Sequence, residues 1–225
     1  MFPVCSKAAR SRPDKLIPAF PVYLFDVDGT LMDSAADICG AIQTVLANRG
    51  RDDITQDVLR PYIGRHLLDE FLDLGFSRDD IEQMIVEYRA IYPARKHAST
   101  VVYPGVADAL ARLGGRKSTA TTKGTPTTRQ VLEQFGLIGH FDHVQGTDGF
   151  AAKPAPDVLL RSLEALRVRP HDCLFIGDTS SDMQAGRNAG MRICAVTWGY
   201  GDPNELATWN PDFWAHTPHE LLPDY

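Results

Sequence analysis

The stretch YLFDVDGT, residues 23–30, constrains the fold more tightly than the rest of the chain. Three apolar residues lead straight into two acids, Asp26 and Asp28, separated only by Val27 and followed by Gly29-Thr30. An apolar run bounded by Pro21 and Gly29 reads as a short buried strand. Two carboxylates this close repel and raise each other's pKa. A bound cation is the simplest group that relieves both.

The rest of the chain divides by pattern. Residues 35–100 show helical spacing and no strand. Ser34 with Asp37 resembles a capping box, Ile38, Ala41, Ile42, Val45 and Leu46 share one face, and Gly50 ends the helix. Val58–Leu74 is mostly helical, with breaks near Pro61 and Gly64. Ser77 with Asp80 opens another helix that carries Ile81, Met84, Ile85 and Tyr88. From Tyr103-Pro104-Gly105 onward strands and helices alternate: a helix over 106–113, a strand over 118–121, a helix over 126–135, a short strand at Val144, a helix over 156–166, a strand over 173–176, a helix over 181–189 and a strand over 193–196. Alternation of this kind predicts an α/β fold, a parallel sheet with helices on both faces. The division expected is an α/β core of residues 19–33 and 103–225, an all-helical insertion over 34–102, and a flexible polar leader over 1–18.

Composition narrows the function. A net charge of −6 in 225 residues argues against nucleic acid, which selects basic surfaces. The densest basic cluster, Arg95-Lys96-His97, reads as a solvated helix face. The four cysteines, Cys5, Cys39, Cys173 and Cys194, have no metal-ligand spacing, so reduced thiols in a cytoplasmic protein are expected. The seven histidines likewise lack ligand spacing and are assigned to the surface or the insertion. No segment reaches the roughly 18 apolar residues of a membrane span, and the N-terminus lacks the apolar core of a signal peptide.

In open α/β sheets functional groups gather at the carboxyl ends of strands. Four such places stand out: Asp26 and Asp28; Thr121, Thr122 and Lys123; Lys153; and Asp178 with Asp182. Oxygen ligands without Cys or His suit a hard ion such as Mg2+. A carboxylate can attack phosphorus, a second can act as acid and base, and a lysine with hydroxyls can hold the transferring charge. Arg65, at the break in the insertion, can pair with a substrate carboxylate.

Four segments in order, DVDGT at 26–30, TTK at 121–123, KPAPD at 153–157 and GDTSSD at 177–182, resemble the motifs of the haloacid dehalogenase superfamily of phosphohydrolases. WGYGDPNEL at 198–206 and the Tyr103-Pro104-Gly105 junction resemble its phosphoglycolate phosphatase-like members. The resemblance implies a Rossmann-like core with a helical cap domain inserted after the first motif. It implies Asp26 as nucleophile and magnesium ligand, and Asp28 as general acid/base that also gives the metal its backbone carbonyl. Thr121 would bind a phosphoryl oxygen, Lys153 neutralise nucleophile and phosphate, Asp178 ligate the metal, and Asp182 orient a metal water or Lys153. Gly29, Thr122, Lys123 and Arg65 are the implied substrate contacts. Thr122 stands where the second motif commonly has Asn. The implied activity is Mg2+-dependent hydrolysis of a small phosphorylated metabolite, 2-phosphoglycolate first, by a monomer or homodimer. The alternatives are a nucleotide monophosphatase or pyrophosphatase, a phosphosugar mutase, and a non-catalytic module that binds a phosphorylated metabolite.

Overall fold

The structure is a computed structural model that describes residues 15–223. The expected leader falls mostly outside that range, as does Cys5. Five strands, β1 (Val22–Phe25), β4 (Arg116–Thr119), β5 (Cys173–Gly177), β6 (Arg192–Val196) and β7 (Phe213–Ala215), form one parallel sheet in the order β4-β1-β5-β6-β7. Two further strands, β2 (Met32–Asp33) and β3 (Val101–Val102), pair antiparallel as a separate ribbon.

The sheet is buried on both faces, and the two-residue period of its strands shows how. In β1, Tyr23 and Phe25 enter one apolar cluster while Val22 and Leu24 enter the other. In β5, Leu174 and Ile176 face the first cluster, and Cys173 and Phe175 the second. The first face is covered by α5 (Val106–Arg112) and α6 (Thr125–Gln134), through Val106, Leu110, Val131 and Leu132. The second is covered by α7 (Asp157–Leu166), α8 (Ser180–Asn188) and α9 (Pro203–Thr208), through Leu159, Leu163, Met183 and Leu206. A strand buried on both faces loses the apolar-polar alternation of a half-exposed one, which is why β1 and β5 read as plain apolar runs. Cys173 and Cys194 are buried core residues.

The insertion is helical: α1 (Ala35–Ala47), α2 (Gln56–Leu59), α3 (Leu67–Asp73) and α4 (Arg78–Ala94), with a 3-10 turn over Arg60–Tyr62. It has its own apolar cluster, in which Ile42, Leu46, Phe71, Ile81 and Met84 are fully buried. No helix among the described residues is long and apolar enough to cross a membrane.

Three expectations are corrected. The strand at Val144 reduces to a single bridge between Ser118 and His143. Ser34 and Asp37 form no capping box. Instead the Ser34 and Ala35 amides donate to the Tyr200 hydroxyl at 2.8 and 3.1 Å, freeing the Ser34 hydroxyl to donate to Asp28 at 2.5 Å. Asp37 is buried and accepts from the Ser99 amide and the Thr100 hydroxyl, tying α1 to the returning chain. The cluster at 95–97 is not a solvated helix face either. The helix ends at Ala94, Lys96 and His97 take positive φ, and His97 is 2% exposed against the Tyr92 ring. The ribbon β2–β3 and the edge strand β7 were not anticipated.

Candidate active site

The order of strands builds the site. From β1 the chain runs through the insertion to β4 on one side of β1, then crosses to β5 on the other. Such a reversal opens a crevice at the carboxyl ends of the strands. Asp26 follows β1 directly and its amide donates to Ile176 O at 2.9 Å, which pins it to β5. Thr121 lies two residues past β4, and Asp178 one past β5. Asp182 projects from the first turn of α8, where it forms a capping box with Thr179.

These groups converge as a buried cluster. Asp26, Asp28, Asp178, Asp182 and Lys153 are each at most 6% exposed. Lys153 Nζ lies 2.8 Å from Asp26 Oδ1 and 2.5 Å from Asp182 Oδ1. Asp178 accepts from the Thr30 hydroxyl at 2.9 Å and the Tyr200 amide at 2.8 Å. Asp28 is bound by Ser34 and pairs with Lys123 Nζ at 3.2 Å. Lys123 also donates to the Tyr92 hydroxyl at 2.8 Å, so a residue of α4 reaches into the site. Thr121 is buried; its hydroxyl accepts from the Lys123 amide at 3.3 Å, which leaves its proton free to donate. Thr122 and Lys123 line a cavity of about 610 Å3 between insertion and sheet, with Asp28, Arg65 and Glu70 also in its walls. Arg65 sits at that cavity but its guanidinium is held by Asp73 at 3.0 Å and lies over the Tyr62 ring.

The charge balance of this cluster points to a cation. Four buried acids face two ammonium groups, Lys153 and Lys123, so two negative charges are left over when all are ionised. Burial first, and the Asp182 and Asp28 charges beside it, push Asp26 up to about 7 against the pull of Lys153. Burial likewise pushes Asp178 well above the usual carboxylate range, with Asp182 and Asp26 adding to it. Lys153 is held charged: burial opposes the ammonium, but Asp182 and Asp26 outweigh it and raise its pKa. Asp26, Asp178 and Asp182 each offer an oxygen within 4.8 Å of the others. Asp26 Oδ1 is buried yet receives no well-aligned hydrogen bond from any described residue. A buried all-oxygen set with excess negative charge fits a divalent hard cation. The Asp28 carboxylate is not among the three; it turns to Ser34 and Lys123.

Several supporting residues lie in segments whose resemblance the sequence showed without giving them this role. Tyr200, Gly199 and Gly201 wrap Asp178: a Cβ on Gly199 would meet Asp178 Oδ2 at 2.3 Å, and one on Gly201 would overlap the Asp178 carbonyl. Gly29 belongs to this packing. Its φ is +86°, and a Cβ there would meet Asp178 Oδ2 at 2.2 Å. Gly29→Ala therefore combines an unfavourable backbone with a displaced carboxylate. We expect a stability loss of about 2–4 kcal/mol in a denaturant melt together with weaker divalent-ion binding by calorimetry. Wild-type values for both would show that Asp178 tolerates the methyl group.

Fold and site together define a class: a Rossmann-like α/β protein with a buried acid-and-lysine cluster at its strand ends. The chain belongs to the haloacid dehalogenase-like hydrolase family, whose sequence profile matches residues 23–196. It is 33% identical over 208 residues to phosphoglycolate phosphatase of Aquifex aeolicus, covering 89% of this chain and 94% of that protein. It is 36% identical over 213 residues to phosphoglycolate phosphatase of Xylella fastidiosa, covering 90% and 92%. A haloacid dehalogenase-like family hydrolase from Streptococcus pneumoniae superposes with a TM-score of 0.84 at 29% identity, covering 90% of this chain and 96% of that one.

Proposed function

We propose that the protein is a Mg2+-dependent phosphatase that hydrolyses a small phosphomonoester through an aspartyl-phosphate on Asp26, with 2-phosphoglycolate as the first candidate substrate. The observation that carries this reading is the buried cluster in which Lys153 bridges Asp26 and Asp182 beside Asp178, with two negative charges uncompensated. The named relatives support the choice of substrate.

Asp26, Asp178 and Asp182 are the side chains that would hold or orient the cation; bound there, it would offset the acids' charge and that of the phosphoryl group. Asp26 attacks phosphorus, and the bond from phosphorus to the ester oxygen breaks. Asp28, hydrogen-bonded to Ser34 and facing the cavity, gives its proton to the departing oxygen. It then takes a proton from the water that attacks the phospho-aspartate, releasing inorganic phosphate and restoring Asp26. The Thr121 hydroxyl and Lys153 hold the phosphoryl oxygens. The helical insertion closes over the cavity to exclude bulk water and opens for release.

The test is phosphate release from a panel of esters, with p-nitrophenyl phosphate included. We expect magnesium to support release and excess EDTA to abolish it, with 2-phosphoglycolate the best natural ester. A preference for nucleoside monophosphates or pyrophosphate would move the substrate assignment. Isomerised sugar phosphate with little free phosphate would indicate a mutase. No metal-dependent release from any ester would indicate a binding module.

A further inference from the structure

We propose that Glu70 is a specificity residue for the leaving group: its buried carboxyl group receives a carboxylate-bearing tail and so selects anionic tails over uncharged ones. The inference rests on the phosphatase reading and deepens it.

On α3, Leu67, Glu70 and Phe71 fall on one face, and Phe71 is fully buried. Glu70 is itself 2% exposed, and its Oε1 has no hydrogen-bond partner among the described residues. It stands in the wall of the cavity that Asp28 and Lys123 also line. A buried, unpartnered carboxylate is strongly disfavoured. Such a group either keeps its proton or meets a ligand, and the hydrolytic steps assign it no other task.

The charged and titratable groups around it are Tyr62, Arg65 and His66 just before α3, Tyr88, Arg89 and Tyr92 on α4, Cys39 on α1, and Asp28, Lys123 and Asp148 elsewhere in the cavity wall. Arg65 is engaged by Asp73, and Lys123 by Asp28 and Tyr92. Burial pushes Glu70 up to about 8 despite Arg65, so at neutral pH it is the acid. A carboxylic acid donates a short, charge-assisted hydrogen bond to a carboxylate. Arg65, Arg89 and Lys123 add positive charge around it. The sign of the pH effect follows. Below about 8 the neutral acid accepts an anionic tail; above it the carboxylate repels one. An anion bound beside Glu70 favours its protonated form and raises its pKa further.

The test has two arms on the magnesium-loaded enzyme. In carbon NMR of protein labelled at the glutamate carboxyls, the resonance that Glu70→Gln removes should titrate near 8. Its midpoint should move up when glycolate is added; a midpoint that stays or falls overturns the proposal. In kinetics, the ratio of kcat/KM for 2-phosphoglycolate to that for p-nitrophenyl phosphate should fall by about tenfold per pH unit above 8 in wild type and stay level in Glu70→Gln. Superimposed ratio profiles overturn it. Loss of turnover of both esters in wild type counts against the phosphatase reading instead, and the NMR arm then decides Glu70 by itself.

Discussion

Asp26→Asn will give a folded protein with no measurable phosphate release, a loss of about 10^4-fold or more, the scale seen when a nucleophile is removed. Asparagine keeps the shape of aspartate but has no oxygen able to attack phosphorus. The fold should not suffer. Asp26 is 1% exposed and burial pushes it up to about 7, so the charge is a burden on the folded state. The amide removes that burden and keeps a carbonyl oxygen for Lys153. We expect a melting temperature equal to or above that of wild type in the same preparation. Wild-type turnover by this variant would refute the nucleophile assignment; a collapsed melting temperature would mean that Asp26 is needed for folding.

Lys153→Met carries the opposite signature, with activity and stability falling together. The ammonium is fully buried between Asp26 and Asp182. Breaking a buried pair by removing one partner typically destabilises by about 3–5 kcal/mol, because the remaining charges have no counter-ion. For a chain of this size that corresponds to roughly ten degrees in melting temperature. The deficit should depend on pH with a defined sign. Without the ammonium, Asp26 loses the partner that holds its pKa down, so its folded-state pKa rises further above the unfolded value. The folded state then binds the extra proton, and stability is present at low pH and lost as pH rises through the folded-state pKa. Melts of both proteins should run parallel from pH 5 to about pH 7, where Asp26 keeps its proton in both folded states, and diverge from about pH 7 upward. A constant difference would mean that packing, not charge, holds Lys153 in place.

The sheet and its acidic edge were legible for a physical reason. β1, β5 and β6 are buried on both faces, so they appear as apolar runs, and Asp26 and Asp178 come immediately after β1 and β5. The elements that were missed depend on partners far away in sequence. β2 and β3 are two residues each, with no apolar alternation, and they exist because about 70 residues of helix bring them back together. β7 is a three-residue edge strand that β6 alone completes. At Ser34 the local capping signal lost to long-range bonds, since Tyr200 takes the amides and Asp28 takes the hydroxyl. Glu70 left a trace that was readable: an acid three residues after Leu67 and directly before Phe71, on a face that should be apolar.

The β2–β3 ribbon has a mechanical consequence. The chain enters the insertion through Met32–Asp33 and leaves it through Val101–Val102, and these two passages are paired with each other. The helices are thus mounted on a single pivot rather than on two independent tethers. Ser34, which grips Asp28, is the first residue beyond that pivot, and Asp33 within it accepts from the Tyr200 hydroxyl. In the opening and closing proposed for the helices, a swing about the ribbon would pull on Ser34 and Tyr200 together, and with them on the aim of Asp28.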